Sequence, residues 1–327
     1  MTQEAPGEQQ NPLARQVERA LLGGERRYTR REVAELAGVD FDRSRSLWMA
    51  MGFAEVDDAD VVFTEGDVQA LQIWDGMIST GLVDAETELP ILRALGHSCA
   101  RLAEWQTREI TKRFRELSSD PQDLAKLAPQ LLPLVEQLQN YVWRRHLASV
   151  SGRALSESTE ELSELTLTVG FADIVGYTSA TRQIDGIELS DMLERFEANA
   201  AAAVVEQSGR IIKTVGDEVL FVADSPAAGA EVALRLTAPE REEQGLPQLR
   251  VGLALGTVLA RFGDVYGSVV NLAARLTSAA KPGTALVDKN LAEALREDAR
   301  YRLRSRRPVS VRGYSRLQSW ALRRAES

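Results

Sequence analysis

Along the first half of the chain apolar residues recur every three or four positions, the spacing of helices with one buried face. Thr29-Arg-Arg-Glu32 is a capping-box sequence, in which the hydroxyl and the carboxylate satisfy each other's backbone amides. It predicts a helix through Val33, Leu36 and Ala37 that Gly38 ends. Ser44 to Met51 reads as a second helix closed by Gly52, and a weaker box, Thr64-Glu-Gly-Asp67, precedes Val68, Leu71, Ile73 and Trp74. Another helix is expected from about Glu86 to Leu117. A last one carries Leu124, Leu127, Leu131, Leu134, Val135, Leu138, Tyr141 and Val142 on one face. Pro129 and Pro133 should kink or interrupt its first turns.

The period changes after Ser156 to Glu164, a polar stretch rich in Ser, Thr and Glu that reads as a linker. Leu165 to Asp173 alternates as a strand does. Ser190 to Gln207 follows as a long helix, with Gly209 as its stop. Arg210 to Thr214 and Val219 to Ala223 are strands joined through Val215-Gly-Asp-Glu218. Ser225-Pro226 opens a helix to about Thr237, and Leu249 to Gly256 is a strand. Thr257 to Gly263 reads as a short loop, Val269 to Ser278 as a helix and Thr284 to Asp288 as a strand. The order βαββαβ is the ferredoxin-like α+β motif, with additions at its end. The expected organisation is two domains: a polar tail over 1–24, an all-α domain over 25–153 with a helix-turn-helix-like start, a linker over 154–164, and the α+β domain over 165–327.

At 327 residues the length suits two cores better than one. Hydrophobic residues make up 44% and charged residues 27%, the balance of a globular chain. The longest small or apolar run, Ala198 to Val205, is far short of the roughly 20 residues that cross a bilayer. The polar N-terminus has no signal-peptide core, and the sole cysteine, Cys99, rules out an internal disulfide framework, so a cytoplasmic setting without membrane partners is expected. A net charge of −9 argues against broad nucleic-acid binding.

The chemistry gathers in the second half. Phe171-Ala-Asp-Ile-Val-Gly-Tyr-Thr178 ends a strand on a carboxylate and turns at a glycine, and Lys213-Thr-Val-Gly-Asp217 puts a second carboxylate at a hairpin. Asp264-Val-Tyr-Gly267 precedes a helix bearing Asn271 and Arg275, four residues apart and so on one face. In order and spacing these segments resemble the class III adenylate and guanylate cyclases, whose strand F-x-D-I-x-G-[FY]-T, hairpin K-x-x-G-D, and D-x-x-G followed by N-x-x-x-R they match. The resemblance covers about Leu165 to Arg323.

It implies attack of a ribose 3′-hydroxyl on the α-phosphorus, with pyrophosphate leaving, and two Mg²⁺ (or Mn²⁺) ions per site on Asp173, Asp217 and the backbone carbonyl of Ile174. Lys213 and Asp264 would read the base. A group that only donates beside one that only accepts complements adenine's N1 and 6-amino group and opposes guanine. ATP is therefore the expected substrate, ahead of GTP. Asn271 would orient the ribose and Arg275 would stabilise charge on the α-phosphate. Arg312, in Val311-Arg-Gly313, is either a basic residue near the triphosphate or an ordinary strand arginine. In the family one subunit gives the metal aspartates and the other the remaining groups. All six positions are filled here, which implies a homodimer with two complete sites.

The segment from Tyr28 to Leu71 has the cadence of a MerR-like helix-turn-helix, with Arg26, Arg27, Arg30, Arg31, Arg43 and Arg45 gathered there. It also resembles the helical regulatory domains of actinobacterial cyclases, which restrain the catalytic dimer and in some members respond to pH. A regulatory domain making protein contacts is expected over DNA binding. A transcription regulator that senses nucleotide, or a guanylate cyclase, are the alternatives. Only His97 and His146 titrate by default near neutrality. His146, in Trp143-Arg-Arg-His146 just before the linker, is the candidate regulatory group.

Overall fold

The computed structural model describes residues 12–118, 121–154, 164–182, 184–239, 246–261, 263–311 and 314–325. The linker over 155–163 and Arg312 lie outside the described residues. The chain divides into two units, Met1–Arg153 and Ala154–Ser327. No helix among the described residues is long and apolar enough to cross a membrane.

The first unit is helical: α1 (Pro12–Leu21), α2 (Arg30–Ala37), α3 (Phe41–Ala50), α4 (Glu65–Ser79), α5 (Ala85–Leu117) and α6 (Pro121–Ala154). The capping box ahead of α2 forms: Thr29 N donates to Glu32 Oε2 at 2.8 Å and Glu32 N to Thr29 Oγ1 at 3.4 Å. Gly38 ends α2 in the left-handed region at φ +71°. Helix α3 starts three residues earlier than the apolar pattern suggests, because Asp40 caps it by accepting from Arg43 N at 3.0 Å. Val33, Leu47, Trp48, Val68, Leu71 and Leu92 form the core between α2, α3, α4 and the start of α5. A β-bridge between Tyr28 and Phe63 closes the helix-turn-helix.

Neither Pro129 nor Pro133 interrupts α6. Placed four residues apart, they remove hydrogen bonds along one side of the helix only, and the remaining rows carry it through.

The arginines of this unit are matched to its own carboxylates. Arg43 donates to Asp75 Oδ1 at 2.6 Å and to Glu88 Oε1 at 2.7 Å, and Trp74 Nε1 donates to the same Glu88 oxygen at 3.0 Å. Arg26 pairs with Glu18, Arg30 with Asp58 and Arg45 with Glu55. The Arg31 guanidinium lies over the Phe41 ring, 4.8 Å from its centre.

The second unit is built on one mixed sheet. Its elements are β1 (Glu164–Ile174), α7 (Tyr177–Ala180), α8 (Gly186–Glu206), β2 (Arg210–Val215), β3 (Glu218–Ala223), α9 (Pro226–Leu236), β4 (Leu249–Arg261) and β5 (Asp264–Tyr266). They continue as α10 (Ser268–Ala279), β6 (Ala285–Val287), α11 (Lys289–Ala294), β7 (Tyr301–Ser305), β8 (Val309–Val311), β9 (Tyr314–Leu317) and β10 (Trp320–Arg324). The strand order is β2-β3-β1-β4-β6-β10-β7, with β5 paired to β4. The stretch β2-β3-β1-β4 is the expected ferredoxin-like motif, and the later strands extend it past β4.

Both faces of the sheet are covered. Along β3, Val219 and Phe221 enter one core with Phe196, Leu236 and Leu253, while Leu220 and Val222 enter the other with Val169, Ala254 and Leu276. That explains the unbroken apolar run of β3.

Two local details differ from the sequence reading. The segment after Gly256 is not a loop: β4 runs on to Arg261 and turns back into β5, with Leu259 opposite Tyr266 and Arg261 opposite Asp264. The stop of α8 is Ser208 rather than Gly209, since Ser208 takes the left-handed conformation at φ +56°. Gly209 is needed for space instead. A Cβ there would lie 2.9 Å from the Val222 carbonyl oxygen.

Candidate active site

Strand β1 delivers Asp173 and Ile174 at its end, where Gly176 turns the chain at φ +76° into the short α7. The β2–β3 hairpin turns at Gly216, φ +61°, and brings Asp217 alongside, with Ile174 N donating to the Asp217 carbonyl at 3.0 Å. The two carboxylates are near enough to disturb each other. Burial raises Asp173 above the ordinary carboxylate range, the Arg250 guanidinium opposes that rise, and Asp217 adds to it.

Register adds two residues that motif spacing does not reveal. Asp173 lies opposite Glu218 on β3 and opposite Arg250 on β4, so the three share one row across the sheet. Arg250 Nε donates to Asp173 Oδ2 at 2.5 Å. Burial, then the charges of Asp173 and Asp217, push Glu218 up to about 6. The sequence did carry a faint signal for each. Glu218 follows directly on Gly216-Asp217, and Arg250 is the one charge in an otherwise apolar run from Leu249 to Leu255. A cleft of about 310 Å³ opens here, lined by residues 174 and 176–179 with Arg182, Asp217 and Arg250.

The second group sits on β2, β5 and α10. Lys213 Nζ donates to Asp264 Oδ2 at 2.5 Å, and Asp264 Oδ1 accepts from Val265 N at 2.8 Å. The two meet because the β4–β5 hairpin folds Asp264 back toward β2. Gly267, at φ +138°, then starts α10, which presents Asn271 exposed and Arg275 half-buried. Among the described residues neither of those side chains has a hydrogen-bond or ion-pair partner. Helix α10 lies hard against the sheet: a Cβ on Gly252 would fall 2.2 Å from Thr277 N. Within one chain, then, Asp173 and Asp217 come together, and so do Lys213 and Asp264. Among the described residues no hydrogen bond or ion pair joins the first pair to the second, or either to Asn271 and Arg275. In the helical unit His146 is exposed on α6.

Residues 160–324 match the adenylate and guanylate cyclase catalytic domain, and residues 4–147 match the adenylate cyclase regulatory domain. An adenylate cyclase of Glutamicibacter nicotianae is 39% identical over 330 residues, covering 95% of this chain and 82% of that protein. A pH-sensitive adenylate cyclase of Mycobacterium tuberculosis is 30% identical, covering 87% and 74%. Among solved structures, the adenylyl cyclase CyaB of P. aeruginosa aligns with a TM-score of 0.44 at 22% identity, over 50% of this chain and 96% of that one. With both domain models matched in order and relatives aligned along most of its length, the chain belongs to the adenylate cyclases, as an enzyme with a regulatory domain ahead of its catalytic domain.

Proposed function

We propose that this adenylate cyclase turns ATP into 3′,5′-cyclic AMP and pyrophosphate at two sites, each completed by a second copy of the chain. The observation that carries the reading is the division of the candidate residues. Each protomer holds a carboxylate cleft with room for phosphates and, apart from it, an adenine-matching pair with an unpartnered Asn271 and Arg275. Two copies related by a twofold axis would set the cleft of one against the second group of the other, twice over.

The donor set in the cleft suits hard divalent cations. Among the described residues no group of three or more His, Cys, Asp or Glu side chains makes a cage. Two carboxylates with one backbone carbonyl are instead the sparse oxygen set that Mg²⁺ takes when substrate phosphates fill the other positions. When bound, such ions lower the pKa of the 3′-hydroxyl and neutralise the triphosphate. Asp173, Asp217 and the Ile174 carbonyl would hold them. The partner protomer's Lys213 would donate to adenine N1 while its Asp264 accepts from the 6-amino group. Their mutual ion pair keeps both in place before the base arrives. Guanine would meet a donor with a donor at N1 and an acceptor with an acceptor at O6, which supports ATP over GTP.

Asn271 would fix the ribose so that its 3′-oxygen faces the α-phosphorus. A bond then forms between that oxygen and the phosphorus, and the bond to pyrophosphate breaks. Arg275 would meet the charge that builds on the α-phosphate, a contribution of about 10²–10³ in turnover. Arg250 and Arg182 line the cleft where the departing pyrophosphate would rest. Arg312 is a candidate for the same end of the substrate. The helical unit would set how readily the two protomers reach this arrangement. A response to pH, with His146 as the group concerned, is part of the reading and would disappear from it if His146→Ala left the pH–activity profile unchanged. Asp217→Ala should bring cyclic AMP formation from ATP with Mg²⁺ or Mn²⁺ to background while the folded state persists. Retained turnover in that variant would defeat the two-carboxylate account.

A further inference from the structure

Helix α6 carries Leu127, Leu131, Leu134, Leu138 and Tyr141 at successive spacings of four, three, four and three residues. A period of 3.5 keeps such a stripe facing one partner helix as the two wind around each other. All five side chains are between 40% and 63% exposed. The side of α6 turned to α5 is a different one: Leu132, Val135 and Gln139 are half-buried, and Gln139 Nε2 donates to Gln106 Oε1 at 3.0 Å. The five-residue stripe therefore lacks a cover within its own helical unit.

We infer that this stripe is the seam of a parallel, in-register pairing between α6 and α6 of a second copy of the chain. Charge selects a second copy. From Leu127 to Trp143 the sole charged residue is Glu136, two positions past Leu134 and so on the far side of the helix. The positions that flank the seam are Ala128, Gln130, Val135, Gln137 and Val142, all neutral. Two identical helices thus meet without opposing like charges, and an ionic partner would find nothing to pair with.

The prolines agree with this placement. Pro129 and Pro133 each follow a seam leucine by two residues, on the outer side, where their rings leave the contact clear. The seam spans about two heptads, too short to hold two free chains together strongly. It becomes effective where another contact already tethers the protomers and raises their local concentration. In that respect the inference rests on the two-chain reading of the active site.

Cysteine crosslinking of the full chain tests it, with Cys99→Ser removing the native thiol. In a parallel, in-register seam Leu131 faces its own copy and Leu138 does the same, whereas an antiparallel pairing sets one against the other. Mild oxidation should therefore give covalent dimers for Leu131→Cys and for Leu138→Cys separately, at least ten times faster than for Glu136→Cys. No dimer at either seam position, or equal rates at all three, would overturn the seam. So would uptake of the full chain onto phosphatidylglycerol vesicles that both Leu131→Glu and Leu138→Glu abolish, since the stripe would then serve a lipid surface.

Cyclic AMP formation is followed in the same samples, so the two readings can fail separately. Turnover without crosslinking removes the seam and keeps the two-chain site. Crosslinking without turnover keeps the seam and removes the site.

Discussion

Asp173, Asp217 and Glu218 crowd one end of the sheet, with the Arg250 guanidinium against the first of them. One cation does not offset three carboxylates, and the excess appears as the rise of Glu218 to about 6 from an ordinary 4.5. A raised carboxyl favours folding in its protonated form. The stability tied to that proton is whole below pH 4.5 and is lost as pH climbs through 6. Glu218→Gln, neutral at every pH and nearly isosteric, should therefore stabilise the metal-free catalytic unit by about 1–2 kcal/mol at pH 7.5. It should do little at pH 4.5. Thermal melts in EDTA across that range would show a gain of roughly 2–6 °C at the upper end. Adding Mg²⁺ should narrow the gap, because a cation between the aspartates also relieves Glu218. Equal melting of the two proteins at every pH would mean that the three carboxylates do not share one field.

The elements of the molecule were legible in the sequence wherever their signals are local. Thr29 with Glu32, Ser225 with Pro226, and Gly38 each mark a helix boundary through atoms within a few residues, and each boundary is where those residues put it. Asp173, Asp217, Lys213, Asp264, Asn271 and Arg275 were legible too, because three spaced motifs carry them. What stayed hidden depends on strands meeting at a distance. Arg250 and Glu218 join the site only through the β1–β4 and β1–β3 registers, some 77 and 45 residues from Asp173 in sequence. The β4–β5 hairpin was taken as a loop because its pairing spans a turn with no strong turn signature, and it is this hairpin that brings Asp264 to Lys213.

Gly252 carries an element-scale demand of the same kind. It lets α10 approach β4 so closely that a methyl group at that position would sit 2.2 Å from the Thr277 amide nitrogen. Gly252→Ala should force the helix that bears Asn271 and Arg275 off the sheet and destabilise the catalytic unit by about 2–4 kcal/mol. A urea melt reads the loss directly. A variant as stable as the parent would mean that the helix has slack the packing does not suggest.

At the scale of the whole molecule, the question is whether one chain can complete a site. Lys213, Asp264, Asn271 and Arg275 belong to one group and the carboxylate cleft to another, and a twofold pairing joins each group to its complement on the partner. Two inactive variants should then repair each other. In a mixed dimer of Asp217→Ala and Asn271→Ala chains, one site receives both lesions. The other takes its carboxylates from the Asn271→Ala chain and its amide from the Asp217→Ala chain, so it is intact. Equal mixing with free exchange makes about half of the dimers mixed, and half of their sites whole, so turnover should recover to about a quarter of the parent's. Asp173→Ala mixed with Asp217→Ala is the control, since both lesions fall in the same cleft and every dimer keeps at least one lesion at each site. Recovery in the first mixture and silence in the second require that the two groups act across chains. Silence in both, with exchange verified by mass, would mean that each chain works alone.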